Sequence, residues 1–309
     1  MAPSPSPPPS PRTGWQLTSD LDEFHSRAAA FLHSAPALHT ALLSVTDTLR
    51  ARGLHVYGPE DPLFGIRTEG DGDGDLGAGA SGDGTVSGAF LWTPPHFLAL
   101  SPLADDAAAD ELAGVLADAG LKPPGVGAES VTADAFSAAW ERRTNATAVV
   151  NYPQRLYRLG TLTPPEPAPA GSARVATVAD RALLERWHGE FHEAMGEKAV
   201  MDAGEWVDAR IAYGGVTLWE TPDGTPVSMA GNTRQVAGQV RIAPVYTPAD
   251  LRGRGYAGAV TAAVSRAALA AGADEVLLFT DVGNPTSNAL YQRIGYRPVR
   301  DFTQYSFTG

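Results

Sequence analysis

Val240-Arg-Ile-Ala-Pro-Val-Tyr-Thr247, Pro-Ala-Asp-Leu and Arg252-Gly-Arg-Gly-Tyr-Ala-Gly258 run consecutively and read as strand, turn, glycine loop and helix start. Val240, Ile242 and, past Pro244, Tyr246 fall on one side of the strand, with Arg241, Val245 and Thr247 filling out the rest. Pro244 cannot donate to a ladder, which predicts a bulge there. Beyond Tyr256, the positions Val260, Val264, Ala268 and Ala271 recur at helical spacing, and Gly272 ends the helix. A glycine loop that opens a helix is an anion site by construction. Its first turn leaves backbone N–H groups unpartnered at the positive end of the helix dipole. Gly253 and Gly255 let the backbone approach a phosphate, and Arg252 and Arg254 add charge and matching donors. An ordinary loop has the same glycines, so the assignment rests on their surroundings.

Gly253-x-Gly255-x-x-Gly258 also spells a dinucleotide fingerprint, with Asp281 roughly twenty residues further on. In such a unit the glycines follow their strand at once, whereas Pro248 to Arg252 intervene here, and too few βα units follow. Arg252-x-x-Gly255-x-Ala257 resembles instead the Arg/Gln-x-x-Gly-x-Gly/Ala signature of the GNAT N-acetyltransferase superfamily. Thr280-Asp-Val-Gly-Asn284-Pro-Thr-Ser-Asn288-Ala-Leu-Tyr291-x-x-x-Gly295-Tyr296 is similar to that family's second cofactor segment in order and spacing. The resemblance covers about Ala173 to the end. It implies an α/β fold of the mixed-sheet α+β kind, the GNAT fold. It further implies acetyl-CoA as cofactor with CoA as product, and direct transfer of an acetyl or short acyl group to a primary amine.

A length of 309 residues suits two ordinary domains, and an apolar content of 43% supplies real cores. The net charge of −12 argues against nucleic acid, whose phosphates demand a basic face, and mildly favours cationic substrates such as amines. With no cysteine in the chain, thiolate nucleophiles, thiolate metal sites and disulfides are excluded. Met1 to Pro11 is nearly all Pro, Ser and Ala, which reads as a disordered tail, taken to residue 14, and not as a secretory signal. No apolar run is long enough to span a bilayer. A cytoplasmic protein without membrane partners is expected, and the sequence leaves the oligomeric state open.

Along the chain, helical signals dominate from Trp15, with Leu21, Phe24, Ala28 and Phe31 on one face and a second helix from Pro36 to Arg52. Asp71-Gly-Asp73-Gly-Asp75 resembles a calcium loop, but Leu76 stands where the turn needs Gly and Gly82 where Glu is needed, so a flexible loop to Gly84 is read. A hairpin follows, Thr85 to Thr93 and Phe97 to Leu103. Then come a helix at 104–119, a strand around Val126, a helix capped by Thr132, and two strands ending at Leu159. The same element order recurs in the C-terminal half. Phe97-Leu-Ala-Leu-Ser-Pro-Leu-Ala-Asp is then the counterpart of Val240 to Pro248, without the glycines and arginines. Hence residues 15–162 are read as a degenerate GNAT-like domain, 163–171 as a Pro-rich linker and 172–309 as the catalytic domain, giving two tandem GNAT-like domains. Thr177 or Asp180 opens an amphipathic helix with Leu183, Leu184, Trp187, Phe191 and Met195 on its buried stripe. His188 and His192 stand four apart on its flank. Gly189 occupies the place of a zincin's Glu, so no metal is assigned, and the pair is read as the edge of an exposed face or as contact with the acceptor.

The family resemblance implies that backbone amides at Val245, Tyr246 and Thr247 hold the acyl carbonyl and pantetheine arm. Arg252, Gly253, Arg254, Gly255, Tyr256, Ala257 and Gly258 would then hold the pyrophosphate. It also implies that Tyr291 protonates the departing thiolate, the alternative being a packed aromatic. Asn284 and Asn288 could bond the pantetheine amides, although Asn284 before Pro285 is also a natural N-cap. Many family members carry a Glu on the strand before the bulge, and Val240 to Thr247 has none. His188, Glu190, His192, Glu220, Asp281 and a water chain remain candidates for the base. The acceptor is a small-molecule or peptide amine of unspecified identity. A non-catalytic acyl-CoA-binding regulatory module is the alternative function.

Overall fold

The computed structural model describes residues 13–70, 84–196 and 201–309. Its elements run β1 (Gly14–Thr18), α1 (Leu21–Ser34), α2 (Thr40–Arg52), β2 (Leu63–Glu69), β3 (Thr85–Trp92), β4 (Leu98–Leu100), α3 (Asp106–Asp118), β5 (Gly125–Glu129), α4 (Ser130–Thr144) and β6 (Thr147–Leu159). The same order follows again: β7 (Ser172–Val175), α5 (Arg181–Met195), α6 (Ala203–Ile211), β8 (Val216–Glu220), β9 (Pro226–Asn232), β10 (Gln239–Tyr246), α7 (Tyr256–Ala270), β11 (Glu275–Asp281), α8 (Pro285–Arg293) and β12 (Tyr296–Thr308). In each half one strand pair is parallel, β4 with β5 and β10 with β11, and a helix crosses between them. The repetition of element order read from the sequence is thus a repetition of topology.

All these strands belong to one sheet, ordered β1-β2-β3-β4-β5-β12-β6-β11-β10-β9-β8-β7. Its centre is exchanged. β6 of the first half pairs with β11, β12 of the second half pairs with β5, and the two run against each other from Tyr296↔Leu159 to Thr308↔Thr147. Arg155 on β6 reaches both carboxylate oxygens of Asp301 on β12, at 2.6 and 2.8 Å. Such a fork-to-fork pair fixes register as well as adding energy. A cut in the stretch 163–171 removes β6 from between β11 and β12, so the two halves in sequence are not two separate sheets.

Helices cover both faces. In the second half, α7 and α8 pack Val260, Val264 and Tyr291 on Val240, Ile242, Val276 and Leu278, whereas α5 and α6 pack Leu184, Trp187 and Val207 on Val216, Leu218 and Met229. The start of α5 is fixed by a capping box, Thr177 with Asp180. Arg174 clamps it, donating to both oxygens of Asp180 at 2.7 Å and to Glu220 at 2.6 Å. That guanidinium holds the Asp180 carboxyl down to about 2.

Several local expectations need correction. Trp15 lies in a strand, β1, and its indole donates to Ala108 O. The two strands expected before Leu159 are one continuous β6, paired on both sides. Helix α2 begins at Thr40 rather than Pro36. Thr132 sits inside the first turn of α4, where its hydroxyl accepts from the Leu103 N–H and ties that turn to the β4–α3 loop. Met195 is 38% exposed, off the buried stripe of α5. His188, expected at an exposed edge, is only 3% exposed. The calcium-loop-like stretch 71–83 lies outside the described residues.

Candidate functional site

The parallel ladder of β10 and β11 runs from Gln239↔Glu275 to Ile242↔Leu278 and stops, although β10 continues to Tyr246 and β11 to Asp281. On its other side β10 shifts register against β9 between Ile242 and Val245, so the bulge predicted at Pro244 is present. A bulge bends its strand and increases the local twist. The two carboxyl ends therefore open into a cleft, the usual place for a ligand beside parallel strands. Gly231 on β9 allows the bend, since a Cβ there would stand 2.6 Å from the Ala243 carbonyl oxygen. The inserted residue also reverses the alternation. Val240 and Ile242 pack with α7, as does Val245, but Tyr246 packs on the opposite face with Trp187 of α5, so placing Tyr246 on the side of Ile242 was incorrect.

The chain then makes a 3-10 turn, Ala249–Leu251, and enters the glycine loop. Gly253 and Gly255 have φ of 76° and 84°, a region that L residues enter only with strain, and Gly255 is the N-cap of α7. The helix's own bonding starts with the Ala259 N–H to Gly255 O at 3.1 Å. The amides of Tyr256, Ala257 and Gly258 form the first turn, where the dipole favours an anion. Arg252 donates to Thr247 O and Arg254 to Asp250 O, both at 3.1 Å, which ties each guanidinium to the loop while the residues stay exposed. Two prolines of the 163–171 stretch flank this turn: Pro165 Cγ lies 3.3 Å from a Cβ placed on Gly258, and Pro169 lies 3.8 Å from one on Gly255.

Helix α8 borders the cleft on the β11 side. Asn284 is its N-cap, accepting from the Ser287 N–H at 3.0 Å. Asn288 donates to Asp281 O at 2.8 Å and accepts from Tyr157 Oη at 2.9 Å. Asn284 thus caps α8 from within, while Asn288 fixes the helix to the end of β11 and to β6. Tyr157 comes from the first half, so the exchanged strand anchors the helix that carries Tyr291. Tyr291 is 8% exposed, packs edge-on to Tyr296, and is pushed up to about 12 by burial.

On the other face, a cavity of about 530 Å³ lies between α2, α5, α6 and the bulge, with Ala243 and Pro244 in its wall. Arg210 donates to Tyr213 Oη at 2.6 Å and to Asn232 O, and its guanidinium lies over Trp206. Arg241 points here from β10, and burial, reinforced by Arg210, lowers it to about 10. His188 stacks on Trp206 with ring centroids 4.5 Å apart; burial, then His192 and Arg210, bring it down to about 4, so it is neutral near pH 7. Glu190 accepts from Tyr246 Oη at 2.8 Å. Glu220 is held by Arg174, and Asp281 accepts from the Gly283 N–H at 2.7 Å. Among the described residues, no group of three or more His, Cys, Asp or Glu could hold a metal ion. Sequence reading missed Arg241 and Arg210. A charged residue between Val240 and Ile242, and the i,i+4 pair Trp206 and Arg210, were the available signals.

Residues 223–305 match the family model described as FR47-like protein. Among solved structures, the chain is similar to a GCN5-related N-acetyltransferase from Sphaerobacter thermophilus at 18% identity and a TM-score of 0.57, over 94% of either chain. It is also similar to an acetyltransferase of the GNAT family from Colwellia psychrerythraea, at 10% identity and a TM-score of 0.56, over 96% of this chain and 100% of that one. A tandem GNAT protein from the clavulanic acid biosynthesis pathway is similar at 12% identity and a TM-score of 0.52, over 94% of this chain and 97% of that one. No curated protein matches the sequence. The chain has the GNAT fold in tandem.

Proposed function

We propose that the second half transfers an acetyl or other short acyl group from CoA directly to the primary amine of a small molecule or peptide. The observation that carries this reading is the continuity of β10. One strand opens the cleft past Ile242, walls the cavity with Ala243 and Pro244, and leads into a helix N-terminus with two left-handed glycines. The loop fits a pyrophosphate chemically: first-turn amides and a helix dipole open where no Cβ stands, and two exposed arginines belong to the same loop. CoA, when bound, supplies the activated acyl thioester. Backbone amides within Val245 to Thr247 would hold the acyl carbonyl, as oxyanion donors do. Tyr291 holds its proton at working pH and is the group assigned to protonate the leaving sulfur. Of the candidates for the base, His188, Glu190 and His192 all ride on α5, beside the cavity, and Glu190 already accepts from Tyr246 Oη. We place the base on that helix or in a water chain beside it. The first half, which lacks the glycine loop, walls the cavity with α2, and we place the division between the halves at 163–171. We further infer a cytoplasmic protein acting on free amines rather than on nucleic acid or membranes.

The test is calorimetric titration of the full chain with acetyl-CoA and with CoA, followed by thiol release in the presence of amines. Binding of about one equivalent with turnover supports the reading, and absence of binding overturns it. A non-catalytic acyl-CoA sensor is the second reading, favoured by the lack of a Glu between Val240 and Thr247. Binding without turnover on any amine would select it.

A further inference from the structure

We propose that the acceptor amine also carries an anionic group, a carboxylate or a phosphate, which the cavity holds on Arg241 and Arg210; this deepens the acyl-transfer reading and rests on it. The chain as a whole is acidic, at −12, yet Arg52, Arg210, Arg234 and Arg241 line the cavity against a single carboxylate among the described residues, Asp47. Arg52 already faces Glu205 at 3.9 Å. The electrostatic neighbours of Arg241 are Arg210, which repels it, and the Tyr57 hydroxyl. Those of Arg210 are Tyr213, Tyr57 and Arg234. Two guanidinium groups lining one cavity and partly removed from water are costly without an anion. The structure nevertheless holds Arg210 rigid, through Tyr213, Asn232 and the Trp206 ring. A pre-positioned cation pair of this kind suits a planar carboxylate or a phosphate from the acceptor.

The placement fits transfer. Arg241 stands two residues before Ala243, about 7 Å along a strand, so an anion held there leaves an amine a short chain length from the bulge. The same positive field disfavours a protonated amine. It thereby eases the demand on a base in a strand that has no Glu.

The probes are the L-amino acids, their carboxamides, and ω-aminoalkyl phosphonates, each titrated by calorimetry into the full chain with and without CoA. Initial rates of thiol release with acetyl-CoA are measured in parallel. Acids binding about tenfold or more tightly than their amides support the proposal. The phosphonate arm decides between carboxylate and phosphate. Arg241→Gln should erase the preference for anions while CoA affinity stays unchanged. If that variant fails to fold, Arg234→Gln at the exposed rim should reduce the preference severalfold. Equal affinity for acids and amides, preference for neutral amines, or no binding of any anionic probe overturns the proposal. Calorimetric binding reads the anion site without turnover, so a failure of acyl transfer is seen separately, in the CoA and thiol-release arms.

Discussion

Gly255 and Gly272 stand at opposite ends of α7, both in the left-handed region, at φ of 84° and 90°, so the pair separates backbone cost from ligand contact. A Cβ on Gly272 meets nothing within 4 Å and one on Gly255 meets only Pro169 at 3.8 Å, so neither alanine clashes. Each substitution costs the left-handed penalty of an L residue, about 1–2 kcal/mol. For a chain of this size that lowers Tm by about 1.5–3 °C. Only Gly255 lies on the proposed phosphate cradle. Gly255→Glu sets a carboxylate about 4 Å from the phosphate oxygens, where like charges repel by about 1–4 kcal/mol between bulk-water and protein-surface screening. CoA binding then falls by about fivefold to a thousandfold. Without ligand, the same carboxylate is favoured at the helix's positive end by about 0.3–1 kcal/mol, so Gly255→Glu is at least as stable as Gly255→Ala. The assay is calorimetric titration of CoA into full-length Gly255→Ala, Gly255→Glu and Gly272→Ala, with Tm measured on each. Equal CoA affinity in Gly255→Glu and Gly272→Ala refutes the cradle. An unchanged Tm in both alanine variants refutes the backbone argument.

Tyr291→Phe removes a hydroxyl that no hydrogen bond fixes among the described residues. It should leave Tm and CoA affinity nearly unchanged while kcat drops by about a hundredfold or more if Tyr291 is the acid; equal kcat removes that role. Because burial pushes Tyr291 up to about 12, the kcat profile should show no limb from this group below about pH 11. His188 gives a pH effect of determined sign. The unfolded imidazole takes a proton near pH 6.5 and the folded one only near about 4, so the unfolded state binds more protons between them. Stability should therefore be full above pH 6.5 and fall by up to about 3 kcal/mol as pH drops to 4. Denaturant unfolding of the wild type and of His188→Gln across that window checks it, and parallel curves would show that another group is responsible.

What could be read from the sequence was what the backbone demands locally. Gly253 and Gly255 are there because φ is positive, Pro244 because a bulge tolerates a missing donor, and Asn284 because the N-cap wants a short acceptor. Strand β2 escaped notice because Gly65 interrupts its apolar run; the Phe90 ring packs so closely that a Cβ there has no room. Tyr246 was assigned to the wrong face because a bulge inverts every residue after it, and alternation alone does not say where the extra residue falls. The arginine pair was beyond sequence reading for a different reason. Arg241 and Arg210 sit on elements far apart in the chain, and only tertiary packing brings them to one cavity.

The exchange of β6 and β12 changes what the first half contributes. A half without the glycine loop and its two arginines would be dispensable if it were merely attached. Here its last strand supplies Tyr157, whose hydroxyl donates to Asn288 and accepts from Gln292 of α8, the helix that carries Tyr291. Its α2 supplies one wall of the cavity, and Thr40 on α2 bonds Gln239 at the root of β10, at 2.9 Å. The proposed acid and the proposed acceptor wall thus both depend on residues of the half that lost the phosphate loop. These contacts need no phosphate loop, so a first half without one still shapes both proposed sites.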